Sequence, residues 1–381
     1  MSEPPKVDFH FRRPPDVRLG ARTDAELREL RVARSADAVP YWLVWDPEYA
    51  EHVLRGEDFR SIIQGDGGVP IRCPETGAPL RAEQTLLASD GAEHARLKAV
   101  LVGALEGAGP TMEAFEQRAG EAIARLRPRG SCEFLSDFAY PVSNWATSAL
   151  LGLPAAEFDE LSEEIDLMMA ALARTLVDRG RYEHIMDRLI HRIWRAQSEG
   201  GSEGVAAHIG RARLSGRLSP VEALSLCVSV IQGMSRTAAA LAAGALRMGL
   251  ARADDAAVNA HMARAWIEEI LHRSPPIHSL LRVAADGAEL CGYKLTQGTP
   301  VVVCIRALAG AEPAKTWAFG QGPHACPSGS LGRAMAERMA VVMLENFPGL
   351  RLDVCDAGDK EQHHHIFSGP ARLSLRWSAV G

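Results

Sequence analysis

The chain has 381 residues, 47% of them hydrophobic and 24% charged, with a formal net charge of −6. That hydrophobic share excludes a disordered or collagen-like chain. A mildly acidic chain with no basic cluster implies no nucleic-acid partner, because phosphate neutralisation needs Lys and Arg gathered on one face.

The cysteines, at 73, 132, 227, 291, 304, 326 and 355, are scattered and form no CxxC pair. They suggest neither a disulfide framework nor a zinc ribbon, and a cytoplasmic location is expected. The start, Met1-Ser-Glu-Pro-Pro-Lys6, lacks the apolar run of a signal peptide.

In chain order, the first 40 residues are mixed and charged. Tyr41-Trp-Leu-Val-Trp45 reads as a strand, and Asp46-Pro-Glu-Tyr-Ala-Glu-His-Val-Leu54 starts like a capped helix. Residues 64–80 form a long Gly/Pro-rich loop, a type often used as a lid or binding loop. Apolar residues at three- and four-residue spacing predict helices over 93–106, 112–126, 157–176, 181–197 and 220–250. Gly200-Gly-Ser-Glu-Gly204 breaks two of them.

Residues 223–250 are apolar and long enough to cross a bilayer. Arg236 stands in the middle of that run, at a cost of about 2.5–3.5 kcal/mol on insertion scales. Hydrophilic sequence flanks both sides, so the segment reads as a long core helix with no membrane partner. A helix over 256–273 stops at Pro275-Pro276, residues 279–305 turn strand-like, a last helix covers about 330–346, and short strands close the chain. The expected architecture is mainly α with small β-sheets in a single domain, 1–381. Its α-rich parts are 92–273 and 330–346, and its β-rich parts are about 40–60, 279–305 and 350–381.

The most informative run is Phe319-Gly320-Gln321-Gly322-Pro323-His324-Ala325-Cys326, just ahead of the last helix. Its glycines allow tight turns and close backbone approach to a flat ligand. The free N–H groups and dipole at a helix N-terminus suit a thiolate, and a thiolate on a glycine-hinged loop is what an axial haem ligand requires. The run resembles the haem-thiolate signature of the cytochrome P450 superfamily, FGxGxHxC, which it meets at Phe319, Gly320, Gly322, His324 and Cys326.

The resemblance implies a cytochrome P450-like fold with haem b held between the long central helix and the Cys loop, and Cys326 as the iron ligand. Ser89-Asp-Gly-Ala-Glu-His-Ala-Arg-Leu-Lys98 resembles the family's helix start whose His and last basic residue hold the haem propionates, here His94 and Lys98. Lys replaces the usual Arg, keeping the charge but losing the bidentate fork. Pro275-Pro276 through Leu281-Arg282 resembles the segment whose Arg pairs with a propionate, and His324 is expected there too. Taken singly, His94, Lys98 and Arg282 read as solvated surface residues. Only alongside the Cys loop do they read as a site.

Three departures stand out. Where the family carries an acid and an alcohol that deliver protons during dioxygen activation, this helix reads Gln232-Gly233-Met234-Ser235-Arg236-Thr237. Aligned on Gly233, the acid becomes Ser235 and the alcohol Arg236, with Thr237 one position late, about 100° round the helix. Ser235, Arg236 and Thr237 are therefore the candidate catalytic residues. Arg236 either clamps a substrate carboxylate over the haem or points away into a structural ion pair. Second, in Trp266-Ile-Glu-Glu-Ile-Leu-His-Arg273 the ExxR glutamate matches Glu269, but His272 holds the Arg position and Arg273 is expected to face elsewhere. Third, the stretch between Arg306 and Phe319 is shorter than the family's meander. Ser328 also stands where the loop usually has Gly. His363-His364-His365 reads as a polar surface turn.

The implied function is a haem-thiolate oxidoreductase acting on a small natural-product intermediate, carboxylate-bearing if Arg236 faces the pocket. Ferredoxin and reductase are its partners if it is a monooxygenase. Two alternatives stay open: haem-thiolate chemistry without monooxygenation (peroxygenase, bond-forming or cyclising, dehydrating, isomerising) and a catalytically silent binding protein.

Overall fold

The aspartate before the first helix shows how local sequence sets the frame. Asp46 Oδ1 accepts from the backbone N–H groups of Glu48 and Tyr49 at 3.0 and 3.2 Å, and Pro47 opens the helix where its missing N–H costs nothing. A computed structural model describes residues 6–7, 32–35, 41–61, 73–77, 85–107, 111–172, 179–198, 203–252, 259–308, 316–353, 361–363 and 368–378. Its helices are α1 (Pro47–Arg55), α2 (Gly91–Glu106), α3 (Thr111–Leu126), α4 (Tyr140–Leu151), α5 (Phe158–Leu172), α6 (Arg179–Ser198), α7 (Val205–Leu214), α8 (Pro220–Met234), α9 (Thr237–Leu250), α10 (Met262–Arg273), α11 (Ile305–Leu308) and α12 (Gly329–Asn346).

The strands are β1 (Lys6–Val7), β2 (Val32–Ser35), β3 (Trp42–Val44), β4 (Phe59–Arg60), β5 (Ser131–Glu133), β6 (Leu280–Ala284), β7 (Glu289–Leu290), β8 (Tyr293–Lys294), β9 (Pro300–Val303), β10 (Arg351–Leu352), β11 (Glu361–His363), β12 (Ser368–Pro370) and β13 (Ser374–Arg376). A six-stranded sheet runs β1-β2-β3-β9-β6-β4, with smaller sheets β10-β13-β5, β11-β12 and β7-β8. In the large sheet Val301 and Val303 pack with Trp42 and Val44, while Val302 packs with Leu43 and Cys304. That alternation covers both faces of β9. β6 runs antiparallel to β9 with Arg282 opposite Val301, which fixes where that guanidinium starts.

The long apolar segment is two helices, not one. Serine 219 caps α8 with a reciprocal Ser219–Glu222 box, and the helix then breaks at Ser235–Arg236 before α9 begins. Hydroxyls serve the carbonyls at the break: Thr237 Oγ1 donates to Gly233 O, and Ser143 Oγ of α4 donates to Met234 O at 3.0 Å. Side-chain insertion of this sort is a recognised cause of helix kinks. Within the α8–α9 segment, the most apolar 18-residue window is 72% buried, with α9 packed on α10 and α12.

Three helices, α4, α7 and the four-residue α11, fall outside the windows the periodicity gave. Helix α4 buries Ser143, Asn144, Thr147 and Ser148, which blurs its apolar pattern. Helix α7 is built from small residues, and its Gly210 lies so close to α6 that a Cβ there would stand 2.1 Å from Gln197 O. The loop over 64–80 lies outside the described residues except for 73–77, as do His364 and His365. His363 ends β11 opposite Ser368.

Candidate functional site

Between Trp317 and Gly329 the chain folds on its own backbone. Gly320 N–H donates to Trp317 O at 2.9 Å, Ala325 N–H to Gly322 O at 3.0 Å, and Cys326 N–H to Phe319 O at 2.8 Å. Gly322 has φ +71°, and a Cβ there would stand 2.6 Å from Leu54 O, so a side chain is excluded by conformation and by space alike. Gly320 also has positive φ, at +69°. The loop leaves Cys326 exposed, its Sγ 3.6 Å from Ser328 Oγ. Ser328 occupies the N-cap position of α12 without capping it. Phe319 is half-buried beside the Arg333 guanidinium, 5.6 Å from the ring centre.

Helix α2 and strand β6 bring cations to this loop. His94 is buried, with Nδ1 at 3.0 Å from Leu86 O and Nε2 at 3.1 Å from Pro323 O. A neutral imidazole donates to only one of these two carbonyls. Its ring lies 3.8 Å from that of His324. Lys98 Nζ donates to Pro323 O and, at 2.9 Å, to Ala325 O, so it ties α2 to the Cys loop. Burial pulls the Lys98 ammonium down from its ordinary value, and Cys326 opposes the shift.

Arg282 is 7% exposed and donates to Leu281 O at 2.8 Å. Burial lowers its pKa, with Asp90 pushing back. His324 Nε2 meets Asp90 Oδ1 at 3.0 Å. Its imidazole is pushed down to about 4, first by burial and then by His94 and Arg282, against Asp90.

Asp90 is the residue the sequence reading missed. It sits at the N-cap position of α2, but its side chain makes no capping bond to that helix, and its second carboxylate oxygen accepts from Ser61 N–H at 2.8 Å. Its place four residues before His94 was the available signal.

The donor set fits haem. An exposed sulfur stands on a glycine-turned loop, and two histidines, a lysine and a buried arginine gather near it, with the Asp90 carboxylate facing His324 and Arg282. Two propionates supply the anionic partners such a cluster lacks. Among the described residues, a Cβ at Gly233 on α8 would meet nothing within 4 Å.

The candidate catalytic residues separate. Thr237 lies one turn from Gly233 and is half-buried. Ser235 is fully buried, and its Oγ has no hydrogen-bond partner among the described residues. Arg236 pairs with Asp166 of α5 and stacks over Tyr140 of α4, its Cζ 3.8 Å from the ring centre. Asn144 Nδ2 holds the same Asp166 oxygen at 3.0 Å. The anion that Arg236 meets is thus part of the fold.

In α10, Arg273 does not face elsewhere. Its Nε lies 3.3 Å from Glu269 Oε1, because residues four apart share a helix face, and Arg252 meets the same oxygen at 2.8 Å.

No family model matches the chain. It is 28% identical over 367 residues to luteothin monooxygenase of Streptomyces thioluteus, covering 87% of each chain. It is 28% identical over 341 residues to pentalenic acid synthase of Streptomyces avermitilis, covering 83% of each. The fold superposes on the crystal structure of CalO2 with a TM-score of 0.75 and 25% identity, over 98% of this chain and 100% of that one. By sequence relatives, by fold and by its cysteine loop, the chain is similar to the cytochrome P450 superfamily.

Proposed function

We propose that the protein is a haem-thiolate oxidoreductase that oxidises a small natural-product intermediate, with Thr237 rather than Ser235 or Arg236 at the reacting face. The observation that carries this reading is the exposed Cys326 on its glycine-turned loop beside His94, Lys98, Arg282 and His324. The relatives named luteothin monooxygenase and pentalenic acid synthase support the substrate class. When bound, haem supplies thiolate-ligated iron for the redox step.

The chain's own residues do the rest. Lys98 holds the Cys loop through the carbonyls of Pro323 and Ala325, and Asp90 orients His324. The Thr237 hydroxyl, half-buried and held by Gly233 O, is the group that can donate or relay a proton at this face. Arg236 is occupied by Asp166 and supports the bend through its stack on Tyr140.

A second reading is haem-thiolate chemistry without an ordinary dioxygen cycle, such as a peroxygenase. It is favoured by the residue beside Thr237: with Thr237 taken as the alcohol, the acid's place shifts from Ser235 to Arg236, an arginine tied to Asp166. The intact cysteine loop speaks against a silent binding protein.

The test is anaerobic reduction under carbon monoxide, followed by turnover with ferredoxin and reductase or with peroxide. A red-shifted Soret band that Cys326→Ala abolishes is expected. In the first reading Thr237→Ala lowers reductase-driven product formation by about a hundredfold, the smaller end of a positioned proton-transfer effect. Turnover with peroxide alone, indifferent to Thr237→Ala, selects the second. Failure of the wild-type protein to take up supplied haem overturns both.

A further inference from the structure

Beyond Thr237, the same helix face leads to a second hollow. Ala240 and Gly244 follow Gly233 and Thr237 at three- and four-residue spacing, so they continue one stripe. These two small residues form one wall of a partly enclosed cavity of about 260 Å³, bounded also by the end of α10, Pro276 and Gly369–Pro370 of β12. A hollow of this size admits one functional group and a short stretch of chain, being somewhat smaller than sites for whole drug-sized ligands.

Its lining is charged in one sense. Arg247, Arg252, Arg273 and Arg306 all line it, and among the described residues no carboxylate does. Glu269, just outside the lining, answers Arg252 and Arg273 through one oxygen. Arg247 and Arg306, each with a contact of its own in the fold, are half-buried. Guanidinium groups converging on a partly enclosed space recognise planar or tetrahedral oxyanions through paired N–H donors. From Thr237 to Arg247 the helix rises about 15 Å, so a molecule seated here extends along the stripe to the reacting face.

We propose that this hollow seats the anionic terminus of the substrate, a carboxylate or phosphate, while the rest of the molecule lies along α9 toward Thr237. The proposal rests on Thr237 marking the reacting face. It assigns the anion to Arg247 and Arg306 and leaves Arg236 to Asp166.

The probes are decanoate, decyl phosphate and methyl decanoate, titrated calorimetrically into the haem-loaded protein. Wild type should bind at least one of the two anions about tenfold or more tighter than the ester, the scale of a hydrogen bond to a charged group. Either order of the two anions supports the proposal and names the preferred oxyanion. Arg306→Gln should remove most of the preference. Ser274→Glu places a carboxylate in the lining at a half-buried position and should abolish it. Equal affinity for anions and ester in wild type overturns the proposal without needing any variant to fold. A preference that survives both substitutions overturns it as well. Haem uptake is read separately. Protein that takes up haem but treats acid and ester alike fails this inference alone. Protein that takes up no haem yet keeps an Arg306-dependent preference, titrated as it stands, fails the functional reading and keeps the anion seat.

Discussion

The imidazoles of His94 and His324 lie with their centres 3.8 Å apart and their planes 33° from parallel, one carried by α2 and the other by the cysteine loop. This contact, with His324 on Asp90 and Lys98 on two loop carbonyls, fastens the Cys326 loop to α2. The cation cluster is thereby assembled by the protein's own contacts.

The Arg282 guanidinium is buried, and Asp90 opposes the lowering of its pKa by burial. Arg282→Ala should weaken haem retention by about tenfold or more, since it removes charge-assisted hydrogen bonds to a propionate. Arg282→Lys should restore part of it. Haem transfer to apomyoglobin, followed by absorbance, measures the loss. Unchanged retention in Arg282→Ala would separate β6 from the cofactor.

Cysteine reactivity should sort by burial. Cys227 and Cys304 are buried, and burial raises each thiol to about 12, whereas Cys326 is exposed. In haem-free protein, iodoacetamide should label Cys326 well before Cys227 or Cys304, and haem loading should protect it. Peptide mass mapping over a labelling time course reads this. Labelling of Cys326 that haem leaves unaffected would argue against iron ligation.

Arg236 and Asp166 should behave as a structural pair. Arg236→Ala, Asp166→Asn and the double variant should give a coupling energy of about 1 kcal/mol in denaturant unfolding, at the upper end for a partly exposed ion pair. Affinity for a carboxylate ligand should change little beyond what the stability loss explains. Additive effects of the two substitutions, together with loss of carboxylate binding in Arg236→Ala, would instead put the guanidinium in the pocket.

Glu164 lies buried between α5 and α6, facing Arg188 and Arg192. Burial raises its carboxyl above the ordinary value despite both arginines. A carboxyl raised in the fold contributes stability below its unfolded pKa and loses it as pH rises through the folded value. Glu164→Gln removes that loss. Its melting temperature relative to wild type should therefore be higher at neutral than at mildly acidic pH, as calorimetry can show. The opposite trend would mean that the arginine pairs outweigh burial.

Much of the site was legible in local sequence. The Phe319–Cys326 run fixes its own turn, because Gly320 and Gly322 adopt conformations that other residues resist, and the helices around His94 and after Ser328 follow from apolar spacing. The break in the long helix was only partly readable. Counting from Gly233 at a regular helical step leaves Thr237 out of register. The structure puts its hydroxyl on the carbonyl four residues back, Gly233 O, as a helical threonine can, and restarts the helix after Arg236.

Other features needed partners distant in the chain. Asp166 is 70 residues from Arg236 in sequence, and only the packing of α5 beside the helix break decides that this arginine is paired. Helix α4 hid its amphipathic face because its buried Ser143 and Asn144 bond to Met234, Ser162 and Asp166, groups that no periodicity within α4 records. Arg247, Arg252, Arg273 and Arg306 carry no shared motif, and they meet around one hollow only because α9, α10 and the segment after β9 converge there. The sequence by itself determined the cysteine loop and most of the helices, since backbone conformation and apolar spacing are local. The tertiary structure alone decided which charges meet, because the partner of a buried charge is set by packing.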